Sequence, residues 1–175
     1  MTQFRNDPLL AIARFLLTFG LAVTVIALAA IAITIPAIGI FYSQVSAELV
    51  ANDAPSSAYW VILLMLMLVA GLLVMAFFFI RHLRRIVDTV AQGDPFVPIN
   101  ATRLTSMAWL SLGMFLIAIP IEASGAWLSG AVEHAEMQGQ VGVEGSSLFL
   151  ILTLFILARV FRKGAEMREE LEGTV

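Results

Sequence analysis

The chain has 175 residues, of which 60% are hydrophobic and 13% charged, with a net charge of -3 and a mean hydropathy of +0.94. This composition excludes an ordinary soluble domain and predicts an integral membrane protein, while ten basic residues against thirteen acidic ones provide no basic surface for direct nucleic-acid binding. The absence of cysteine excludes a disulfide framework, a thiolate nucleophile and a thiolate metal site.

Asp7-Pro8 reads as an N-cap followed by proline at the first helical position, starting a helix whose membrane span covers about 14–41. The uncharged run from Phe15 to Ala47 is much longer than a signal-peptide core, so it predicts a retained helix. Pro36 and Gly39 predict a kink near its outer end. Ser43 to Ser57 reads as a short polar turn, with Tyr59 and Trp60 as interfacial anchors of a second span over 59–80.

In the 81–103 loop, Leu83, Ile86, Val87 and Val90 fall at helical spacing among charged residues, which predicts that helix two projects from the membrane as an amphipathic stalk. Gly93 reads as its left-handed cap and Asp94-Pro95 as its stop. Proline bias predicts an extended Phe96 to Ile99, with Asn100 capping the helix that carries span three, 104–128. Gly125 and Ser129 have the small-xxx-small spacing of close helix contacts. The outer loop from Gly130 to Gly145 is acidic and glycine-bearing. Span four, over 143–161, is the weakest, with charge-free residues only from Gly145 to Ala158, and it continues into a helix over 162–172 where Arg162 and Glu166 are spaced to pair.

Charge fixes the sidedness. Every Lys and Arg falls before span one, between spans two and three, or after span four, whereas Glu48, Asp53, Glu133, Glu136 and Glu144 occupy the other side. The positive-inside rule therefore predicts an all-α, integral membrane four-helix bundle in a bacterial inner membrane, N-in/C-in, with cytoplasmic helical extensions after helices two and four and a single transmembrane domain over 1–175.

Candidate chemistry is sparse. Glu122 is the ionisable group inside a span, and intramembrane carboxylates are costly enough to mark function, although its position near the outer third also suits an interfacial structural role. Glu133, His134 and Glu136 outside read as a solvated surface in preference to a metal site, and His82 beside Arg81, Arg84 and Arg85 reads as a basic band facing anionic headgroups. Met65, Met67, Met75 and Phe77-Phe78-Phe79 read as lipid contact or packing. No catalytic constellation, cofactor or metal centre is predicted.

The stretch Arg84-Arg85-Ile86-Val87-Asp88-Thr89-Val90, then Gly93-Asp94-Pro95-Phe96-Val97, Asn100 and Arg103-Leu104, resembles the central signature of the bacterial membrane family known as domain of unknown function 2975. The ending Ala158-Arg159-Val160-Phe161-Arg162-Lys163-Gly164-Ala165, continuing to Leu171 and Val175, resembles its second signature. The resemblance implies a small four-span protein, often encoded beside a short helix-turn-helix regulator, and hence a membrane partner that holds or modulates a transcription factor. The candidate partner-binding positions are Arg84, Arg85, Gly93, Asp94, Pro95, Phe96, Arg159, Arg162 and Glu169, with Gly164 and Leu171 also matching the second motif.

The leading expectation is a non-enzymatic regulatory or interaction protein whose partners are the lipid bilayer, a cytosolic helix-turn-helix regulator and a second copy of itself. A small transporter, channel or efflux accessory using Glu122 with Pro36 and Pro120 is the alternative, followed by a structural or immunity-like membrane protein.

Overall fold

The computed structural model describes residues 8–131 and 145–172, which form five α-helices: α1 (Pro8–Ile40), α2 (Tyr42–Ala51), α3 (Ala58–Ala91), α4 (Pro98–Ala131) and α5 (Gly145–Glu172). The proposed Asp7 cap, Arg5, Glu144 and the Glu133, His134 and Glu136 group lie outside the described residues.

Helix α1 starts at Pro8, where the missing N–H costs nothing in the first turn, and it runs through Pro36 to Ile40. Its threonines turn their hydroxyls back onto their own helix: Thr18, Thr24 and Thr34 donate to the carbonyls of Arg14, Gly20 and Ala30 at 2.7, 2.8 and 2.9 Å. This is how a hydroxyl is satisfied where water is scarce.

The polar turn expected over Ser43 to Ser57 is largely helical. Tyr42–Ala51 forms α2, because this segment contains no proline or glycine and its residues accept helical geometry once Phe41 leaves α1. The turn is confined to the residues after it: Asn52 Nδ2 donates to the Glu48 carbonyl at 2.8 Å, and Asp53 adopts φ +54. Tyr59 is also not a lipid-facing anchor. It is 7% exposed and meets the Tyr42 ring edge-on at 4.8 Å, whereas Trp60 is 65% exposed.

Three helices, α1, α3 and α4, are long and apolar enough to cross a membrane. Large apolar side chains such as Ile12, Phe15, Phe19, Ile26 and Ile33 stand exposed along α1, an arrangement that water would oppose and a bilayer favours. The chain is a membrane protein. In α5 the charge-free stretch closes at Arg159, and its second half is studded with charge.

The chain comprises two compact units: Met1–Thr24 with Met75–Gly113 and Glu144–Val175, and Val25–Val74 with Met114–Val143. In the first, Ile86 of α3, Leu104, Met107 and Ala108 of α4, and Leu154 and Ala158 of α5 form a buried core, flanked by Phe79, Leu83 and Phe161. In the second, Ala54, Ala58 and Leu128 are buried against Leu49, Val61 and Ile62. Among the described residues the small-xxx-small pair brings no helix close: a Cβ added at Gly125 would meet nothing within 4 Å, and the Ser129 hydroxyl donates to the Gly125 carbonyl at 2.9 Å within α4.

Candidate functional site

Beyond Ile80, the last residue of its uncharged run, α3 continues to Ala91 because its apolar stripe has a core to enter: Leu83, Ile86 and Val90 all turn inward. The helix ends as its glycine dictates. Gly93 takes φ +86, a conformation that a side chain resists, and its N–H donates to the Val90 carbonyl at 3.0 Å while the Asp94 N–H donates to the Thr89 carbonyl at 3.1 Å.

The segment expected to be extended with an Asn100 cap is built differently. Pro98 occupies the first helical position of α4, which its fixed φ favours, and the Asn100 N–H donates to the Val97 carbonyl at 2.9 Å. Asn100 is thereby drawn inside, with no exposed surface, and its amide closes the turn. Nδ2 donates to Thr89 Oγ1 at 2.7 Å and to the Pro95 carbonyl at 2.9 Å, while Oδ1 accepts from Arg103 Nη1 at 2.9 Å. Arg103 Nη1 also reaches the Arg85 carbonyl at 3.1 Å. The buried amide thus uses both its donor and its acceptor.

Helix α5 closes the site. Its Gly164 makes room for Phe96: a Cβ built there would lie 2.8 Å from Phe96 Cδ1. The Phe96 ring also packs on Phe161 at 5.2 Å between centroids. Asp94 forms an ion pair with Arg168, 74 residues away. The first helix is tied in by Arg14, whose Nε lies 2.9 Å from Asp88 Oδ1. Lys163 pairs with Glu166 at 3.2 Å, in place of the Arg162–Glu166 pair expected from spacing.

The candidate residues therefore separate by role. Gly93, Asp94, Pro95 and Phe96 are brought together with Gly164 and Arg168 and hold the turn against α5. Arg85, Arg159, Arg162 and Glu169 are exposed, and Arg84 is half-buried. A groove of about 240 Å³ runs between α4 and α5, lined by Pro98, Ala101 and Thr102 on one side and Arg162, Glu166 and Glu169 on the other. At the membrane end of the same unit, burial and then the guanidiniums of Arg85, Arg103 and Arg81 push the His82 imidazole below its ordinary pKa.

Glu122 belongs to the other unit. It is half-buried and is not a free carboxylate, and the groove on its helix is lined by Val61, Pro120, Ala123, Ser124 and Trp127. The residues that spacing alone missed are Thr89, Arg14 and Arg168, whose partners come from distant segments. Phe161 carried a signal only through the second signature.

Residues 45–175 match the family described as Protein of unknown function (DUF2975). No curated protein and no solved structure gives a significant match. With the match covering both interlocked signature segments and most of its length, the chain belongs to the DUF2975 family.

Proposed function

We propose that this protein is a non-enzymatic regulatory or interaction protein of a bacterial inner membrane, in which the 81–103 turn and the end of α5 together present a docking surface to a soluble cytosolic partner. In this reading the chain crosses the membrane four times with both termini inside. The segregation of every Lys and Arg to one side supports that topology. The fourth crossing uses Gly145 to Ala158, about 21 Å of helix, so Arg159 has to snorkel or the bilayer has to thin.

The observation that carries the proposal is the division of labour within the signatures. One set of residues is spent fixing α5 against the turn, and this leaves Arg162, Glu166 and Glu169 in a fixed array facing outward beside Thr102. A surface held rigid costs less entropy on binding than a frayed helix end. A small helix-turn-helix regulator, as the family resemblance implies, is the partner of choice.

Photocrosslinking residues at Thr102 and Glu169, on the two walls of the groove, test this directly in cells. Capture of one helix-turn-helix protein at both positions, lost with Arg162→Glu, is the expected result. Intact membrane-inserted protein that captures only itself overturns the reading.

A further inference from the structure

A second groove, of about 380 Å³, lies between α3 and α4 and is lined by Met75, Phe78 and His82 on one helix and Ser106, Trp109 and Leu110 on the other. Its walls follow helical register. Met75, Phe78 and His82 form one stripe, which the same spacing extends to Arg85, while Leu110 and Ser106 extend to Arg103. One turn beyond the lining residues the two stripes reach Arg85 and Arg103, and the helices are clamped there by the 3.1 Å bond from Arg103 Nη1 to the Arg85 carbonyl.

Three further observations point to a ligand with an apolar body and an anionic head. Phe78 and Trp109 line the groove yet remain 42% and 62% exposed. Nδ1 of His82 is shielded from solvent and has no hydrogen-bond partner among the described residues. Arg85 forms no ion pair among those residues, and the nearby Asp88 carboxylate is taken by Arg14.

We infer that this groove is a binding site for one anionic phospholipid, its phosphate held between Arg85 and Arg103 beside His82 and an acyl chain lying along Phe78, Trp109 and Leu110. Charge complementarity selects this occupant over a zwitterionic lipid, because a basic cluster beside an apolar trough fits a headgroup of net negative charge. The inference requires only that α3 and α4 enter the bilayer; Arg85 belongs to the 81–103 turn, but the lipid site needs no cytosolic partner.

Trp109 reports on the site. In the full-length chain carrying Trp60→Phe and Trp127→Phe, Trp109 is the remaining tryptophan, and quenching is measured in phosphatidylcholine vesicles doped with dibrominated phosphatidylglycerol or dibrominated phosphatidylcholine. The anionic lipid is expected to compete about fivefold better for the site, the factor equivalent to about 1 kcal/mol for one basic side chain at an anionic surface. Arg85→Gln removes most of that preference, and Lys163→Gln, exposed on α5, leaves it intact. Equal quenching by the two lipids overturns the inference, as does an equal loss from both variants, since either marks ordinary annular lipid or general surface charge.

Discussion

The two compact units are held by different physics. In the unit containing both signatures, polar side chains reach across the chain: Asn100 to Thr89 and Pro95, Arg14 to Asp88, and Asp94 to Arg168. In the other unit the hydroxyls stay on their own helix, as Thr34 does to Ala30, Ser124 to Pro120 and Ser129 to Gly125, and burial centres on small residues such as Ala54 and Ala58. Long-range polar bonds single out one arrangement of segments, whereas local ones satisfy a helix wherever it lies. Among the described residues, the difference places the cross-segment amide and carboxylate contacts named above in the signature unit.

That contrast can be broken by mutation, starting with the deepest residue. Asn100→Ala removes the donor to Thr89 Oγ1 and to the Pro95 carbonyl, while Thr89 keeps its bond to the Ile86 carbonyl and Arg103 its bond to the Arg85 carbonyl, and it is expected to cost about 3 kcal/mol in an SDS unfolding equilibrium, given roughly 1–3 kcal/mol for each buried group left unsatisfied. A loss under about 0.5 kcal/mol would show that the amide network is dispensable. Next, matched glycine substitutions compare the units. Gly164→Val drives a methyl-bearing carbon into Phe96 and is expected to cost about 2 kcal/mol, while Gly125→Val meets open space and changes unfolding by under about 0.5 kcal/mol. Equal effects would erase the distinction.

Gly93→Ala is expected to cost about 1 kcal/mol through its left-handed backbone, with the loss read as a lowered thermal midpoint in detergent. The smallest effect is at the surface. Asp94 and Arg168 side chains are 36% and 46% exposed, so Asp94→Asn should lower stability by under about 1 kcal/mol, and by still less in high salt. A larger, salt-insensitive loss would mean that the pair does more than bring charges together.

What the sequence disclosed follows from the range of the forces involved. The apolar runs of α1, α3 and α4 and the Gly93-Asp94-Pro95 stop were legible because span length and a left-handed cap are local properties. Helix α2 was hidden, since serine and glutamine between two apolar helices read as a turn when only composition is weighed. Asparagine favours a cap position, but Pro98 claims the first turn and Asn100 turns its amide inward. The Phe96 notch at Gly164 and the Asp94–Arg168 pair join segments so far apart that no spacing rule connects them, although Asp94, Phe96 and Gly164 stand in recognised signatures. In the site as a whole, the residues were legible and their division into clasp and surface was not.

The two signature segments clasp each other through the Phe96 notch. A double-mutant cycle between Phe96→Ala and Gly164→Val, measured by SDS unfolding of the full-length chain, tests it most directly. Strong coupling is expected, with Gly164→Val costing about 2 kcal/mol alone and well under about 1 kcal/mol once the Phe96 ring is removed. Strictly additive costs would contradict it.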